Sequence, residues 1–228
     1  MMRKEIKYRC ESSDRLESMF FLKEFGFQQA FRPRQVSSIY YDGLALHNYW
    51  DNIEGYSERR KYRIRWYDRF VSGGPCQFQQ KWKSNGFGSK RIVKFNSPGS
   101  KDKLFESLLT VVEESKMPRN ELAGIFSGDE ICNWVNLFPM VEVNYVREYY
   151  ESERLGCRVT IDREIRAIAI DNRLKVRRGE VKFKDVIVEV KFADHNRDVG
   201  KRYINKVGVP PEKFSKYAES IAALSSTV

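Results

Sequence analysis

Long apolar runs are missing from this 228-residue chain. The longest lies around Met19 to Leu22, far short of the ~20 residues that cross a bilayer, and Met1-Met2-Arg3-Lys4-Glu5 opens no signal-peptide core. A cytoplasmic protein without a transmembrane segment is therefore expected. Histidine is nearly absent: His47 and His195 are too few and too isolated to argue for a catalytic dyad. The four cysteines, Cys10, Cys76, Cys132 and Cys157, are dispersed with no Cys-x-x-Cys pair, which excludes a local structural zinc site and favours reduced thiols. No P-loop is present, since Gly86-Phe87-Gly88-Ser89-Lys90 lacks its spacing, and no dinucleotide-binding fingerprint appears. Phosphate cradled by backbone amides at a helix start is thus not what the sequence offers. Acids are outnumbered by cations, 31 against 41, for a net charge of +10 and a pI near 9.4. The expected partner is an anion. Hydrophobic residues at 41% and aromatics at 14% supply a sizeable core, which excludes wholesale disorder.

What is abundant is alternation of apolar and polar residues. It predicts strands near 4–10, 37–42, 59–70, 76–83, 89–95, 140–150, 157–162, 165–170 and 186–192. Helical spacing is read from Asp14 to Phe25, over 102–116, within 119–138, and from Pro211 to about Ser225. Turn residues fall at Ser72-Gly73-Gly74-Pro75, Asn85-Gly86, Ser97-Pro98-Gly99 and Asp171-Asn172. No repeat, low-complexity tract or composition break divides the chain. The expectation is one α+β domain over residues 1–228, built on an antiparallel sheet.

The strand faces carry the functional signal, because residues i and i+2 share a face. Lys61, Arg63 and Arg65 line one side of their strand while Tyr62, Ile64 and Trp66 line the other. Glu5, Lys7 and Arg9 oppose Ile6, Tyr8 and Cys10; Gln77, Gln79, Lys81 and Lys83 oppose Phe78 and Trp82; Lys90 shares a face with Lys94. Tyr145 goes with Arg147, Arg158 with Thr160 and Asp162, and Glu189 with Lys191. An ordinary solvated face mixes signs, because like charges opposite one another across strands destabilise a sheet. Here cation follows cation, with Glu5, Asp162 and Glu189 the few acids. A sheet closed into a barrel would point this row inward, where cation–phosphate attraction is strong. The aromatics sit mostly on the opposite, core-like face, which disfavours base stacking. A bare phosphate chain fits better than nucleic acid, and nucleic acid is not an expected partner.

The segments Glu5-Ile6-Lys7-Tyr8, Ser38-Ile39-Tyr40-Tyr41-Asp42, Arg60 to Tyr67, Lys81-Trp82-Lys83 with Lys90 and Lys94, Tyr145-Val146-Arg147, Arg158 to Asp162, Val188-Glu189-Val190-Lys191 and Lys213 to Tyr217 together cover residues 3 to 217. In that order they resemble the catalytic domain of the vacuolar transporter chaperone (VTC) polyphosphate polymerases, within the triphosphate tunnel (CYTH-like) superfamily. The resemblance implies a tunnel walled by antiparallel strands, flanked by helices and closed at one end by a C-terminal helix. It implies ATP or another triphosphate, and polyphosphate, as partners, and transfer of the terminal phosphoryl of ATP to a polyphosphate chain. Carried over residue by residue, Lys7, Arg63, Arg65, Lys81, Lys83, Lys94, Tyr145, Arg147, Arg158, Lys191, Lys213, Ser215 and Lys216 would bind substrate. Lys216 and Arg65 would be catalytic, and Glu189 with Glu5 would hold Mn²⁺ or Mg²⁺. Such a set suits phosphoryl transfer, which needs alignment and charge neutralisation more than a covalent nucleophile. Two departures stand out: Arg3 occupies the place of the superfamily's first acid, and Gln79 replaces a glutamate frequent in bacterial relatives. The alternatives are a hydrolase of tripolyphosphate or nucleoside triphosphate on the same fold, a non-catalytic polyphosphate binder, and an RNA-binding protein. Any membrane association would be peripheral.

Overall fold

Alternating apolar and polar positions become nine strands in the computed structural model, which describes residues 3–11, 22–85, 87–118, 120–121, 136–170, 179–193 and 210–225. They are β1 (Arg3–Cys10), β2 (Gln28–Asp42), β3 (Arg59–Tyr67), β4 (Pro75–Ser84), β5 (Phe87–Asn96), β6 (Phe138–Ser152), β7 (Cys157–Ala169), β8 (Glu180–Lys182) and β9 (Val186–Ala193). The helices are α1 (His47–Glu54), α2 (Leu108–Glu114) and α3 (Lys216–Ser225), with a 3₁₀ turn at Lys101–Phe105. Hydrogen bonding orders the strands β1-β9-β7-β6-β2-β3-β4-β5, with β8 beside β7. The expected α+β architecture on an antiparallel sheet is the one observed. Its order is that of an open sheet among the described residues, not of the closed barrel.

The chain forms two compact units. The first comprises Met1–Gln35, Tyr145–Arg166 and Lys182–Ser215. There β9 pairs antiparallel with both β1 and β7, and the period of two sorts the side chains: Tyr8, Val159, Ile161, Val188 and Val190 are buried together. The second unit comprises Val36–Asn144, Ala167–Val181 and Lys216–Val228. Its β3 pairs with β2 and β4, and β4 with β5. Ile39, Ile64, Phe78, Val93, Leu104 and Leu108 make its core, with Tyr62 and Trp66 of β3 facing inward beside Ile64 while Lys61, Arg63 and Arg65 line the other side.

Several elements depart from the expected bounds for local reasons. The helix read over 102–116 is two pieces, because the Ser107 side chain accepts from the Thr110 amide at 3.2 Å and caps α2 there. The strands read as 157–162 and 165–170 are one, kinked at Glu164 with φ of 54°. The C-terminal helix starts at Lys216 rather than Pro211, which leaves Lys213 and Ser215 in the irregular segment before it. α1 escaped the periodicity entirely: it is short, and Trp50 and Ile53 are exposed on it. Its amides are capped from outside by Asp42, whose carboxylate accepts from Asn48 N at 3.1 Å and Tyr49 N at 3.0 Å. The first and third expected helices, the turn at 171–172, Cys132 and His195 fall wholly or largely outside the described residues. Cys10, Cys76 and Cys157 are buried free thiols, and burial pushes Cys76 up to about 12. No described helix is long and apolar enough to cross a membrane.

Candidate functional site

In the second unit the antiparallel register sets Arg59, Lys61, Arg63 and Arg65 on β3 opposite Lys83, Lys81, Gln79 and Gln77 on β4. Those in turn oppose Gly88, Lys90, Ile92 and Lys94 on β5. Directly opposed residues share a face, so this face carries eight cations (four, two and two on the three strands) and no acid in twelve positions. Exposure falls across it from β5 and β4 to β3: Lys81, Lys83, Lys90 and Lys94 are exposed, Lys61 and Arg63 half-buried, and Arg65 is 5% exposed. The buried end is tightly built. Arg65 Nε donates to Ser38 Oγ at 3.0 Å. Arg63 donates through Nε and Nη2 to Gln79 Oε1 at 2.9 and 2.8 Å, and through Nη1 to Tyr40 Oη at 3.1 Å. The glutamine at position 79 thus orients the guanidinium without cancelling its charge, which a glutamate would do.

α3 docks within the same unit. Tyr217, 1% exposed, donates from Oη to Asp42 Oδ2 at 2.6 Å, and its ring stacks on Tyr40 with centroids 5.3 Å apart. Burial and the Asp42 charge raise the Tyr217 phenol well above its ordinary value, so it stays a donor. Lys216, the neighbouring residue at the helix start, acts electrostatically on Tyr40.

The first unit holds the acids. Lys7 lies opposite Glu189 and Glu5 opposite Lys191 in the β1–β9 register, so each pair is of opposite sign. Lys7 Nζ reaches Glu5 at 3.2 Å, Glu189 at 3.9 Å and the Phe214 carbonyl at 2.9 Å. Lys191 pairs with Glu189 and, at 3.8 Å, with Glu5. Arg147 binds Asp162 in a fork, Nε to Oδ1 at 2.6 Å and Nη2 to Oδ2 at 2.7 Å, with its guanidinium 5.2 Å from the Tyr145 ring centre. Burial would raise the Glu189 carboxyl, but Lys191, Lys7 and Arg147 hold it well below the usual carboxylate range. It is an anion at neutral pH and a poor base.

Divalent-metal binding was expected of Glu189 and Glu5. The two share both lysines, and the register neighbour of Glu189 on β7, Thr160, keeps a buried Oγ1 with no hydrogen-bond partner. No group of three or more His, Cys, Asp or Glu residues among the described ones could enclose a metal. The donors therefore fit a hard cation that takes one or two carboxylates and completes its shell from phosphate and water, rather than a metal caged by protein.

Of the expected residues, the structure brings Lys7, Glu5, Glu189, Lys191, Arg147 and Tyr145 together in the first unit. It brings Arg63 and Arg65 together in the second, with Lys81 and Lys83 on β4 and Lys94 on β5 sharing their face. Arg158 is exposed and pairs with Glu151 at 3.6 Å. Lys213 is exposed, and Ser215 half-buried. Tyr145, 2% exposed, is at once core and support for Arg147. The sequence reading missed roles for Ser38, Tyr40 and Asp42, which alternate along β2. That alternation was the available signal.

The VTC domain model matches residues 3–225. Among solved structures the chain is similar to the PH1819 protein of Pyrococcus horikoshii OT3, with 15% identity and a TM-score of 0.52 over 96% of this chain and 99% of that one. It is also similar to a Bacillus halodurans protein described as a "putative adenylate cyclase", with 12% identity and a TM-score of 0.55 over 94% and 96% of the two chains. At these identities the likeness is one of fold. No curated protein matches the chain.

Proposed function

The chain belongs to the VTC domain family, and on that premise we propose that it is a metal-dependent phosphotransferase that moves the terminal phosphoryl of ATP onto a polyphosphate chain. The observation that carries this reading is the acid-free face of β3, β4 and β5, whose cations grade from exposed lysines through the half-buried Arg63 to the buried Arg65. Like charges opposed across strands, as in the register of Lys61, Lys81 and Lys90, repel one another, and a polyanion offsets that repulsion.

The chemistry asks little of side chains beyond charge and position. A terminal oxyanion of the acceptor chain attacks the γ-phosphorus of ATP, the bond to the β–γ bridging oxygen breaks, and ADP leaves with the electron pair. The attacking oxygen is already ionised, so no general base is required. That agrees with a pair of faces whose acids, Glu5, Glu189 and Asp162, are each ion-paired. Arg63, Arg65 and Lys216 would neutralise charge developing on phosphate oxygens, and Lys7, Lys191 and Arg147 would bind further ones. Lys81, Lys83 and Lys94 would hold the chain electrostatically along the exposed part of the face. Mn²⁺ or Mg²⁺ held by Glu189 and Glu5 would neutralise phosphate oxygens in addition.

A second reading, polyphosphate binding without turnover, is favoured by one observation: Lys7 and Lys191 already neutralise both prospective metal-binding acids. Incubation with ATP labelled at the γ-phosphate, a polyphosphate acceptor and Mn²⁺ separates the readings. Label is expected in the polyphosphate with matching ADP. Label released as free phosphate would make the protein a hydrolase, and unconsumed ATP would leave the binder.

A further inference from the structure

β2 ends with three alternating polar residues, Ser38, Tyr40 and Asp42, and none of them belongs to the expected substrate-binding set. Tyr40 is 5% exposed. Its oxygen accepts from Arg63 Nη1 at 3.1 Å, the Arg63 guanidinium lies 5.8 Å from its ring centre, and its other flank is stacked on Tyr217. A phenol both accepts and donates. The groups acting electrostatically on this one are Arg63 and Arg65 from β3 and Lys216 from α3, all of which donate and none of which accepts. Among the described residues the Tyr40 hydroxyl proton has no acceptor. A buried donor of this kind, ringed by three cations, lacks an anionic oxygen.

The stacked ring is held from behind. Asp42, fully buried, accepts from Tyr217 Oη as well as from the amides of Gly43, Asn48 and Tyr49, and this ties α3 and the start of α1 to the end of β2. Tyr217 therefore cannot swing away from Tyr40 without breaking a short charge-assisted hydrogen bond.

We propose that Tyr40 is a further substrate-contacting residue, donating its hydroxyl to the same phosphate oxygens that Arg63, Arg65 and Lys216 neutralise, with Asp42 and Tyr217 as its positioning residues. The inference rests on the phosphate reading of the β3 face and adds to it a hydrogen-bond donor that can be switched off. Burial raises the Tyr40 phenol, but Arg63, Arg65, Lys216 and the Arg63 hydrogen bond together bring it down to about 8. Below that pH the group donates. Above it the phenolate repels phosphate, and a bound phosphate in turn favours the protonated form.

The test is titration of wild type and Tyr40→Phe with tripolyphosphate at pH 7 and pH 9, because the variant keeps the ring and its stack on Tyr217. Loss of one charge-assisted hydrogen bond should raise Kd about tenfold at pH 7. The ratio of the two Kd values should fall toward one at pH 9, because a phenol near 8 costs the wild type about tenfold there. Ionisation of the ligand cancels in that ratio. Ultraviolet titration supplies an independent readout: a phenolate signal near pH 8 in the wild type, moved upward by tripolyphosphate and missing from Tyr40→Phe. A ratio near one at pH 7, or a tenfold ratio unchanged at pH 9, overturns the role of Tyr40 while leaving the phosphate site standing. Failure of the wild type to bind tripolyphosphate overturns both.

Discussion

Replacing Arg65 by Met is expected to remove turnover almost completely, by at least ~100-fold, while the unliganded protein melts at the same temperature or slightly higher. The two halves of that expectation have separate causes. Arg65 is 5% exposed on a face with no acid in its twelve positions, so its charge is little screened by water. Without phosphate the same charge is repelled by its neighbour: it sits two residues from Arg63, and its Nε donates to the neutral Ser38 Oγ. Met keeps the unbranched length of the side chain, so no large cavity opens, and replacing a buried ion by an apolar group of similar size is often neutral or stabilising. Turnover by product analysis and melting by calorimetry check the pair. A drop of many degrees in the unliganded melting temperature would make Arg65 a structural residue.

Glu189→Gln should show the opposite balance. The variant leaves Lys7, Lys191 and Arg147 around a neutral amide, and the loss of a buried partner should cost about 2 kcal/mol of stability after discounting the partly exposed lysines. The sign with pH is fixed by the direction of the shift. A carboxyl held below its ordinary 4.5 contributes stability that is present above that value and is lost as pH falls through its folded-state value. Wild type and variant should therefore converge in stability in acid. Mn²⁺-dependent turnover should be lost, whereas metal-free binding of polyphosphate should hold or tighten, because one negative charge has gone. Unchanged Mn²⁺-dependent turnover would remove Glu189 from the metal site.

The strand faces were legible in the sequence because a period of two leaves no freedom. Once Ile64 and Phe78 are core, Arg63, Arg65 and Gln79 must share the other side, and Lys7 and Glu189 must likewise lie opposite the apolar residues of their own strands. What could not be read depends on contacts remote in sequence. Tyr217 reaches Asp42 across 175 residues, and no local pattern announces that bond. The same carboxylate caps α1, whose eight residues bury no apolar stripe, so the helix had no periodic signature of its own. Lys213 and Ser215 were placed on a helix because the apolar spacing from Phe214 onward is helical. The chain is not helical there, with Glu212 N bonded to the Lys7 carbonyl and the Lys7 ammonium to the Phe214 carbonyl. Barrel closure was argued from the need to shelter the cations, and charge placement alone does not determine which strands pair.

The central claim is that these cationic faces are built for a phosphate chain, and calorimetric titration with tripolyphosphate beside a single-stranded RNA of equal charge tests it most directly. The account predicts saturable tripolyphosphate binding that weakens in Arg65→Met and survives physiological salt, with RNA binding weaker and lost as salt rises. Tighter binding of the RNA, or equal loss of both ligands with salt, would contradict it.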